Sequence, residues 1–308
     1  MREEFYFTSS CGNTEIHGVV WKPTGEIKAI LQISHGMAEH ILRYDEFAKY
    51  CSKRGYVVVG HDHLGHGKSV SSAENYGYFN TKNGNEVLIQ DTHLLRERVT
   101  EEYPSLPYFI LGHSMGSTLL RQYILNHGEG LKGVVLSGIV APESSSTLHV
   151  AKFLSRLIGA FKGSHYRSKV LDGLVFGKLD RMMDDPKAKG SWVTSDSKKL
   201  EEYTNDDLCG FIFTTNGYYN LFDGLLCLNH KENASSFPKH LPILIVSGSG
   251  DPVGGFESGL RKIHDHFINI GATNITLNIY PDAKHEVLNE LNREEVYQDV
   301  AEWMASLN

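Results

Sequence analysis

The fold is decided by the stretch Leu106-Pro107-Tyr108-Phe109-Ile110-Leu111-Gly112-His113-Ser114-Met115-Gly116-Ser117-Thr118-Leu119-Leu120. Its apolar first half predicts a strand, and its second half has helical spacing. Between them lies a Gly-x-Ser-x-Gly turn. Such a pattern also occurs by chance in loops, but a strand before it and a helix after it favour a functional turn.

The chemistry of the turn explains its spacing. Ser114 must occupy a strained turn if its hydroxyl is to stand clear of the sheet. Gly112 and Gly116 let neighbouring backbone pass without a Cβ clash. The helix that begins near Met115 directs free N–H groups towards the reacting centre. Ser114 is therefore the candidate nucleophile.

The rest of the chain alternates strands with helices. An opening hairpin is predicted over residues 5–21, around a turn at 11–13. Later strands are predicted at 27–34, 56–60, 131–137, 242–246 and 275–279, and helices at 44–54, 85–103, 255–270 and 293–306. This alternation predicts an α/β fold with a mostly parallel central sheet covered by helices on both faces.

Residues 141–225 interrupt this alternation and lack clear strands. A helix with the apolar stripe Val150, Leu154, Leu157 and Phe161 is predicted at 149–161, a polar irregular portion at 180–196, and a further helix at 218–228. We interpret 141–225 as a helical cap inserted into a core of residues 1–140 and 226–308. The stripe then packs on the catalytic face or meets lipid, although such a stripe is also typical of ordinary core.

A serine hydroxyl needs a general base, and the base needs an orienting carboxylate. Asp251 and His285 each follow a predicted strand, and functional groups gather at the carboxyl ends of parallel strands. Along the chain the nucleophile Ser114 comes first, the acid Asp251 second and the base His285 third, which is the order expected for the strand-turn-helix motif. Asp282 is the alternative acid, three residues before His285.

Two backbone N–H groups are needed to bind the oxyanion that forms on the substrate carbonyl. One is predicted at Met115, directly after the nucleophile, and the other in the loop after the first central strand. That loop contains His35-Gly36-Met37, and Met37 is the second candidate donor.

A group of histidines at His61-Asp62-His63-Leu64-Gly65-His66 raises the alternative of a metal site. Gly65 stands where a metallo-hydrolase motif would have an aspartate. The sequence therefore favours a turn held by hydrogen bonds to Asp62, and we expect no catalytic metal and no cofactor.

The composition excludes several classes of protein. The chain has 308 residues, 41% hydrophobic and 22% charged, as in soluble globular proteins. A net charge of −7 argues against nucleic-acid binding. The four cysteines are scattered and indicate a reducing compartment. Neither a signal peptide nor an apolar run of membrane-spanning length is evident, so we expect a cytoplasmic protein.

Four motifs together resemble the α/β-hydrolase fold and, within it, the monoacylglycerol lipase and lysophospholipase group. They are His35-Gly36-Met37-Ala38-Glu39-His40 with Arg43-Tyr44, Asp62-His63-Leu64-Gly65-His66-Gly67-Lys68-Ser69, Gly112-His113-Ser114-Met115-Gly116, and Gly250-Asp251 with Ala283-Lys284-His285-Glu286. The resemblance implies a nucleophile, acid and base at Ser114, Asp251 and His285, and oxyanion donors at Met37 and Met115. It also implies that Asp62–Ser69 is a structural loop.

The resemblance further implies two-step acyl transfer on a single-chain acyl ester such as a monoacylglycerol or lysophospholipid. Leu154, Leu157 and Phe161 are the candidate substrate-binding residues of the cap, and Lys152 and Arg156 could assist a transient contact with a lipid surface. Small-ester carboxylesterase and peptidase activities are alternatives on the same fold. A non-catalytic binder of small molecules is an alternative of another class.

Overall fold

A computed structural model of the protein describes residues 1–183 and 190–308. Its sheet has eight strands. They are β1 (Arg2–Thr8), β2 (Glu15–Trp21), β3 (Ala29–Ser34), β4 (Tyr56–His61), β5 (Tyr108–His113), β6 (Gly133–Ser137), β7 (Ile243–Gly248) and β8 (Ile275–Tyr280).

The sheet is parallel except at one edge. The strand order is β1-β2-β4-β3-β5-β6-β7-β8, and only the β1–β2 and β2–β4 pairs are antiparallel. All residues of β3 to β7 are buried, which explains their continuous apolar runs rich in Val, Ile and Leu. The predicted mostly parallel sheet is confirmed.

Nine α-helices occur in the described residues. They are α1 (Asp45–Ser52), α2 (Gly84–Glu102), α3 (Met115–His127), α4 (Ser145–Lys162), α5 (Lys169–Val175), α6 (Ser197–Thr204), α7 (Thr215–Lys231), α8 (Phe256–Asn269) and α9 (Arg293–Ser306). One apolar cluster joins the sheet to residues of α1 and α9, and the other joins it to residues of α2, α3 and α8. Helices therefore cover both faces, as predicted.

The segment between β6 and β7, here called the helical insertion, contains α4 to α7. Hydroxyl groups cap three of its helices: Ser144 accepts from the N–H of Thr147 at α4, Ser168 from that of Leu171 at α5, and Thr214 from that of Gly217 at α7. The predicted boundary at residue 225 falls inside α7, which continues without a break to Lys231. The helix continues because its apolar face still packs on the core through Leu226 and Leu228.

The sequence missed α5 and α6, which are short and mostly exposed. The predicted irregular portion 180–196 is described only in part, since residues 184–189 lie outside the described residues. Its described part contains a 3₁₀ turn at Asp180–Met182. None of the helices in the described ranges combines the length and the apolar character needed to span a bilayer.

Candidate active site

Ser114 lies at the sharp turn between β5 and α3. Its backbone has φ 51° and ψ −117°, a strained conformation for a residue with a side chain. Both glycines of the motif are required by close packing: a Cβ on Gly112 would lie 2.5 Å from the carbonyl oxygen of Gly116, and a Cβ on Gly116 would lie 2.1 Å from that of Ser34. The chain thus aims the Ser114 side chain out of the sheet edge.

His285 and Asp251 meet at the same edge, although they come from different loops. Nδ1 of His285 lies 3.0 Å from Oδ2 of Asp251, and both side chains are buried. The carboxylate is held in place by the Ser247 hydroxyl at 3.0 Å and by the N–H of Val253 at 2.8 Å. Asp251 is therefore an oriented, hydrogen-bonded partner for the imidazole.

The charges of this pair support one another. Burial alone would lower the pKa of His285, but the Asp251 carboxylate outweighs it and raises that pKa above the ordinary value. Burial would likewise raise the pKa of Asp251, but the hydrogen bonds and charge of its neighbours lower it. Asp251 remains ionised, and an imidazolium at His285 is stabilised by it.

The second ring nitrogen of His285 is not used in the pair with Asp251. Its Nε2 is buried and has no hydrogen-bond partner in the described ranges, so no bond joins it to the Ser114 hydroxyl in this conformation. The neighbouring His113 ring packs 4.8 Å from the His285 ring. Such bonds often tighten only when substrate is bound. Nε2 is free to take up a proton.

Asp282, the alternative acid, is held differently. It sits at an exposed position with φ 60°, and its N–H donates to the Ser249 hydroxyl at 2.9 Å. The hydrogen bond from His285 goes to Asp251 instead. The geometry favours Asp251 as the acid.

The loop after β3 brings Met37 to Ser114. A Cβ on Gly36 would lie 3.3 Å from the Cβ of Ser114, so the backbone passes directly beside the serine. Within residues 1–183 and 190–308, no protein acceptor pairs with the N–H of Met37 or of Met115. Both N–H groups are available to a ligand, as an oxyanion site requires.

A cavity of about 830 Å³ opens above Ser114. Ser114, Met37 and Met115 form part of its wall next to the sheet. The helical insertion supplies most of the remainder, through mainly apolar side chains: Leu148, Val150, Ala151, Leu154, Leu174, Val175, Phe176, Leu179, Trp192, Leu221, Phe222 and Leu225. The site is therefore a nucleophile and a base next to a large apolar chamber.

A family model, Hydrolase_4, described as "Serine aminopeptidase, S33", matches residues 25–292. The chain belongs to this family. Among its relatives, the "Monoglyceride lipase" of Rattus norvegicus is 27% identical over 286 residues, covering 88% of this chain and 84% of the relative. The "Monoacylglycerol lipase" of Mycolicibacterium smegmatis is 25% identical over 308 residues, covering 99% of this chain and 98% of the relative.

A solved structure of a highly thermostable carboxyl esterase from Bacillus coagulans matches this hydrolase with a TM-score of 0.90 at 26% identity. The match covers 99% of this chain and 98% of the esterase. Family, relatives and fold together identify the protein as an α/β-hydrolase that cleaves carboxylic esters, as the sequence motifs predicted.

The structure divides the predicted substrate-binding residues of the hydrolase. Leu154 lines the cavity, whereas Leu157 and Phe161 do not and are 42% and 81% exposed. The correction has a physical reason: α4 packs on the molecule through Leu148, Ala151 and Ser155, which turns Leu157 and Phe161 outward. A helix that is apolar on both sides does not reveal its inner face in sequence.

The histidine group at 61–66 forms a turn in the hydrolase. The Asp62 carboxylate accepts from the N–H groups of Ile41 and Lys68, each at 2.8 Å, and lies 2.8 Å from His17 Nδ1. The imidazoles pack against one another, with the His61 and His63 rings 4.9 Å apart. These bonds are those that the turn interpretation predicts.

A buried charged network beside the site was not predicted from the sequence. The Arg43 guanidinium donates to Glu39 and, through both terminal nitrogens, to Glu286, each at 2.6 Å. Glu39 also accepts from the Gly36 N–H and, at 2.8 Å, from the Tyr44 hydroxyl. Gly36 precedes Met37 in the loop of residues 35–40, here called the oxyanion loop after its candidate donor. The network therefore positions this loop relative to the loop that carries His285. Both residues lie in motifs that were singled out, Arg43-Tyr44 and His285-Glu286, but the motifs do not indicate that they pair.

Trp192 is a second residue that the sequence did not single out. Its ring lies 5.2 Å from the His285 ring and 5.8 Å from that of Phe176, and it lines the cavity. Its carbonyl oxygen accepts from the N–H of His285 at 3.3 Å. The helical insertion therefore touches the candidate base directly.

Proposed function

We propose that the protein hydrolyses monoacylglycerols through an acyl-enzyme on Ser114. The observation that carries the proposal is that Ser114 lines an apolar cavity of about 830 Å³, at the sheet edge that also carries the hydrogen-bonded pair Asp251–His285. Such a chamber suits one acyl chain next to the ester carbonyl. The names of two relatives, "Monoglyceride lipase" and "Monoacylglycerol lipase", support the same substrate class.

The proposed reaction has two steps. Nε2 of His285 takes the proton of the Ser114 hydroxyl while Oγ attacks the ester carbonyl, and the oxyanion is held by the N–H groups of Met37 and Met115. The protonated imidazole then gives its proton to the leaving glycerol. Water attacks the acyl-enzyme by the same route and releases the fatty acid. Asp251 orients His285 and stabilises its cationic form.

The charges of the cavity favour a neutral head group. Its described wall contains one acidic residue, Glu143, and one basic residue, Lys178. A lysophospholipid would place a phosphate there, and phosphate sites usually combine several donors. We therefore place monoacylglycerols before lysophospholipids, small esters and peptides.

The outer face of the insertion suits a lipid surface. Phe153, Leu157 and Phe161 expose 42% to 81% of their surface along α4, and Val170 is exposed on α5. Of the two predicted flanking cations, Arg156 is exposed, whereas Lys152 is paired with Asp223. We propose that residues 141–231 form a cap that collects substrate from lipid. The four free cysteines support a cytoplasmic location.

The test is a substrate series with a covalent probe. A fluorophosphonate should label Ser114, and wild type should turn over long-chain monoacylglycerols with higher kcat/KM than matched lysophospholipids, acetate esters or peptide substrates. Ser114→Ala removes the nucleophile and serves as the unlabelled control. Labelling without turnover of any ester would contradict the proposed substrate class, and absence of labelling in a folded protein would indicate a binder.

A further inference from the structure

Three metal-ligating side chains meet beside the oxyanion loop, outside the catalytic machinery. A nitrogen of His40, an oxygen of Asp206 and the sulfur of Cys209 all lie within 4.8 Å of one another. His40 belongs to the loop that carries Met37, whereas Asp206 and Cys209 lie between α6 and α7 in the helical insertion. The cluster therefore joins the two parts of the molecule that enclose the cavity.

The side chains are held in place before any ion arrives. Oδ1 of Asp206 accepts from the N–H of Leu208 at 2.8 Å, which leaves Oδ2 facing Nε2 of His40, also at 2.8 Å. The segment is fastened to the oxyanion loop by the Gly210 N–H, which donates to the carbonyl of Ala38 at 2.9 Å. His40 is 7% exposed, so its ring has little freedom.

The surrounding charges favour a cation. The Cys209 thiol interacts electrostatically with the guanidinium of Arg43 and with the carboxylates of Glu39, Asp206 and Glu286. Three negative groups thus face one positive group, and Arg43 is already paired with Glu39 and Glu286. A divalent ion would relieve the negative excess.

We propose that His40, Asp206 and Cys209 bind one Zn²⁺ ion that regulates the enzyme and takes no part in the chemistry. Imidazole, carboxylate and thiolate are the ligands that zinc prefers, and three of them leave one position for water. Tetrahedral coordination separates such donors by about 3.3 to 3.7 Å. The His40 and Asp206 atoms must part slightly, and the Cys209 sulfur must approach.

Binding has a defined proton balance. The Cys209 thiol loses its proton to solvent and becomes a thiolate ligand, and Nε2 of His40 binds as the neutral imidazole with its proton on Nδ1. One proton is therefore released per ion bound, and affinity rises with pH. Drawing His40 towards Cys209 moves the loop that carries Met37, so bound zinc lowers ester turnover. This last step rests on the proposed function, but the site itself does not.

The site is tested with cobalt as a spectroscopic substitute for zinc. One equivalent of Co²⁺ added to the full-length wild-type protein should give a thiolate-to-cobalt charge-transfer band and the visible absorption of tetrahedral cobalt, both displaced by Zn²⁺. Cys209→Ser should abolish the charge-transfer band, and Asp206→Asn should weaken zinc binding by more than about tenfold in calorimetry. Cys227→Ser is the matched control, since Cys227 is a partly buried free thiol elsewhere on the insertion, and it should retain the band.

The outcomes separate the site from its effect. A missing band in folded wild type, a band that survives Cys209→Ser, or one lost in Cys227→Ser would overturn the site. In turnover assays, zinc should inhibit wild type and Cys227→Ser but spare Cys209→Ser. Equal inhibition of all three would overturn the regulatory role. A protein that binds cobalt as expected but hydrolyses no ester would contradict the proposed function and leave the metal site standing.

Discussion

The sheet core and the helical insertion contribute to the same cavity in different ways. The core contributes Ser114 to its wall and carries the candidate catalytic residues on loops at strand ends: Ser114 after β5, Asp251 after β7 and His285 after β8. The insertion meets them mainly with apolar side chains from α4, α5 and α7. We therefore expect the chemistry to reside in the core and substrate selection in the insertion. Changes in the two regions should therefore have different kinetic signatures.

The largest effect is expected at the nucleophile. Ser114→Ala should lower kcat for every ester by about three to six orders of magnitude, because the acyl-enzyme can no longer form. The thermal unfolding midpoint should not fall, since the substitution removes one oxygen. Turnover of short and long esters is compared with purified wild type. Retention of more than a small percentage of turnover would show that the chemistry lies elsewhere.

The second effect separates the two candidate acids of the core. Asp251→Asn should lower kcat by about four orders of magnitude, since an amide no longer stabilises the His285 imidazolium. Asp282→Asn should change kcat by no more than a few-fold, because Asp282 lies in an exposed turn and does not contact His285.

The rate of fluorophosphonate labelling should follow the same order as turnover. Asp251→Asn should label more slowly than wild type, and Asp282→Asn should label at the wild-type rate. The opposite order, with Asp282→Asn inactive and Asp251→Asn active, would reassign the acid. Circular dichroism of both variants controls for folding.

The third effect concerns the two sides of α4, of which one faces the cavity and the other is exposed. Leu154→Ser should raise KM for long-chain esters by about tenfold or more, since each buried CH₂ contributes about 0.8 kcal/mol and tenfold corresponds to about 1.4 kcal/mol. Acetate esters should be affected little. Leu157→Ser, on the exposed side, should leave both KM values unchanged for monomeric substrate and weaken binding to lipid vesicles instead.

These two variants carry the same substitution three residues apart on one helix, so each is the control for the other. Equal effects of both on long and short esters, together with reduced thermal stability, would show that the stripe is ordinary packing. If only Leu154→Ser changed vesicle binding, the assignment of the inner and outer faces of α4 would have to be reversed.

The same contrast explains what could be predicted from the sequence. Strands buried on both faces have continuous apolar runs, and parallel strands end at a common edge, so Ser114, Asp251 and His285 could be placed near one another without coordinates. On α4 both Phe153 and Leu154 are apolar, and only packing against the rest of the insertion decides which points inward. Sequence periodicity contains no information about that choice.

The charged network escaped prediction for a related reason. Arg43 and Glu286 are 243 positions apart in the chain, and their motifs gave no sign that they pair. The pairing of Arg43 with Glu286 is an outcome of tertiary structure, since local spacing identifies only Glu39, four residues before Arg43, as a partner. Trp192 is similar, because its contact with His285 follows from the path of the insertion.

The smallest expected effect concerns stability, and it again distinguishes the two regions. His35, His61, His63, His66 and His113 are buried in the core, whereas His149, His165 and His230 of the insertion are exposed. Burial lowers the pKa of His61 to about 4 from an ordinary value of 6.5. Below pH 6.5, therefore, His61 binds a proton in the unfolded chain but stays neutral in the folded chain. The stabilisation is complete above pH 6.5 and is lost as the pH falls towards 4.

His61→Leu should flatten this loss by about 1.4 kcal/mol per pH unit between pH 6 and 4.5, the value for one proton. Neither His61 nitrogen has a hydrogen-bond partner in the described ranges, so leucine also removes two unsatisfied polar atoms. Urea unfolding at several pH values gives the slopes, with the exposed His240→Asn as control. Parallel curves for His61→Leu and wild type would show that unfolding adds no proton to His61, and that acid acts on another part of the molecule.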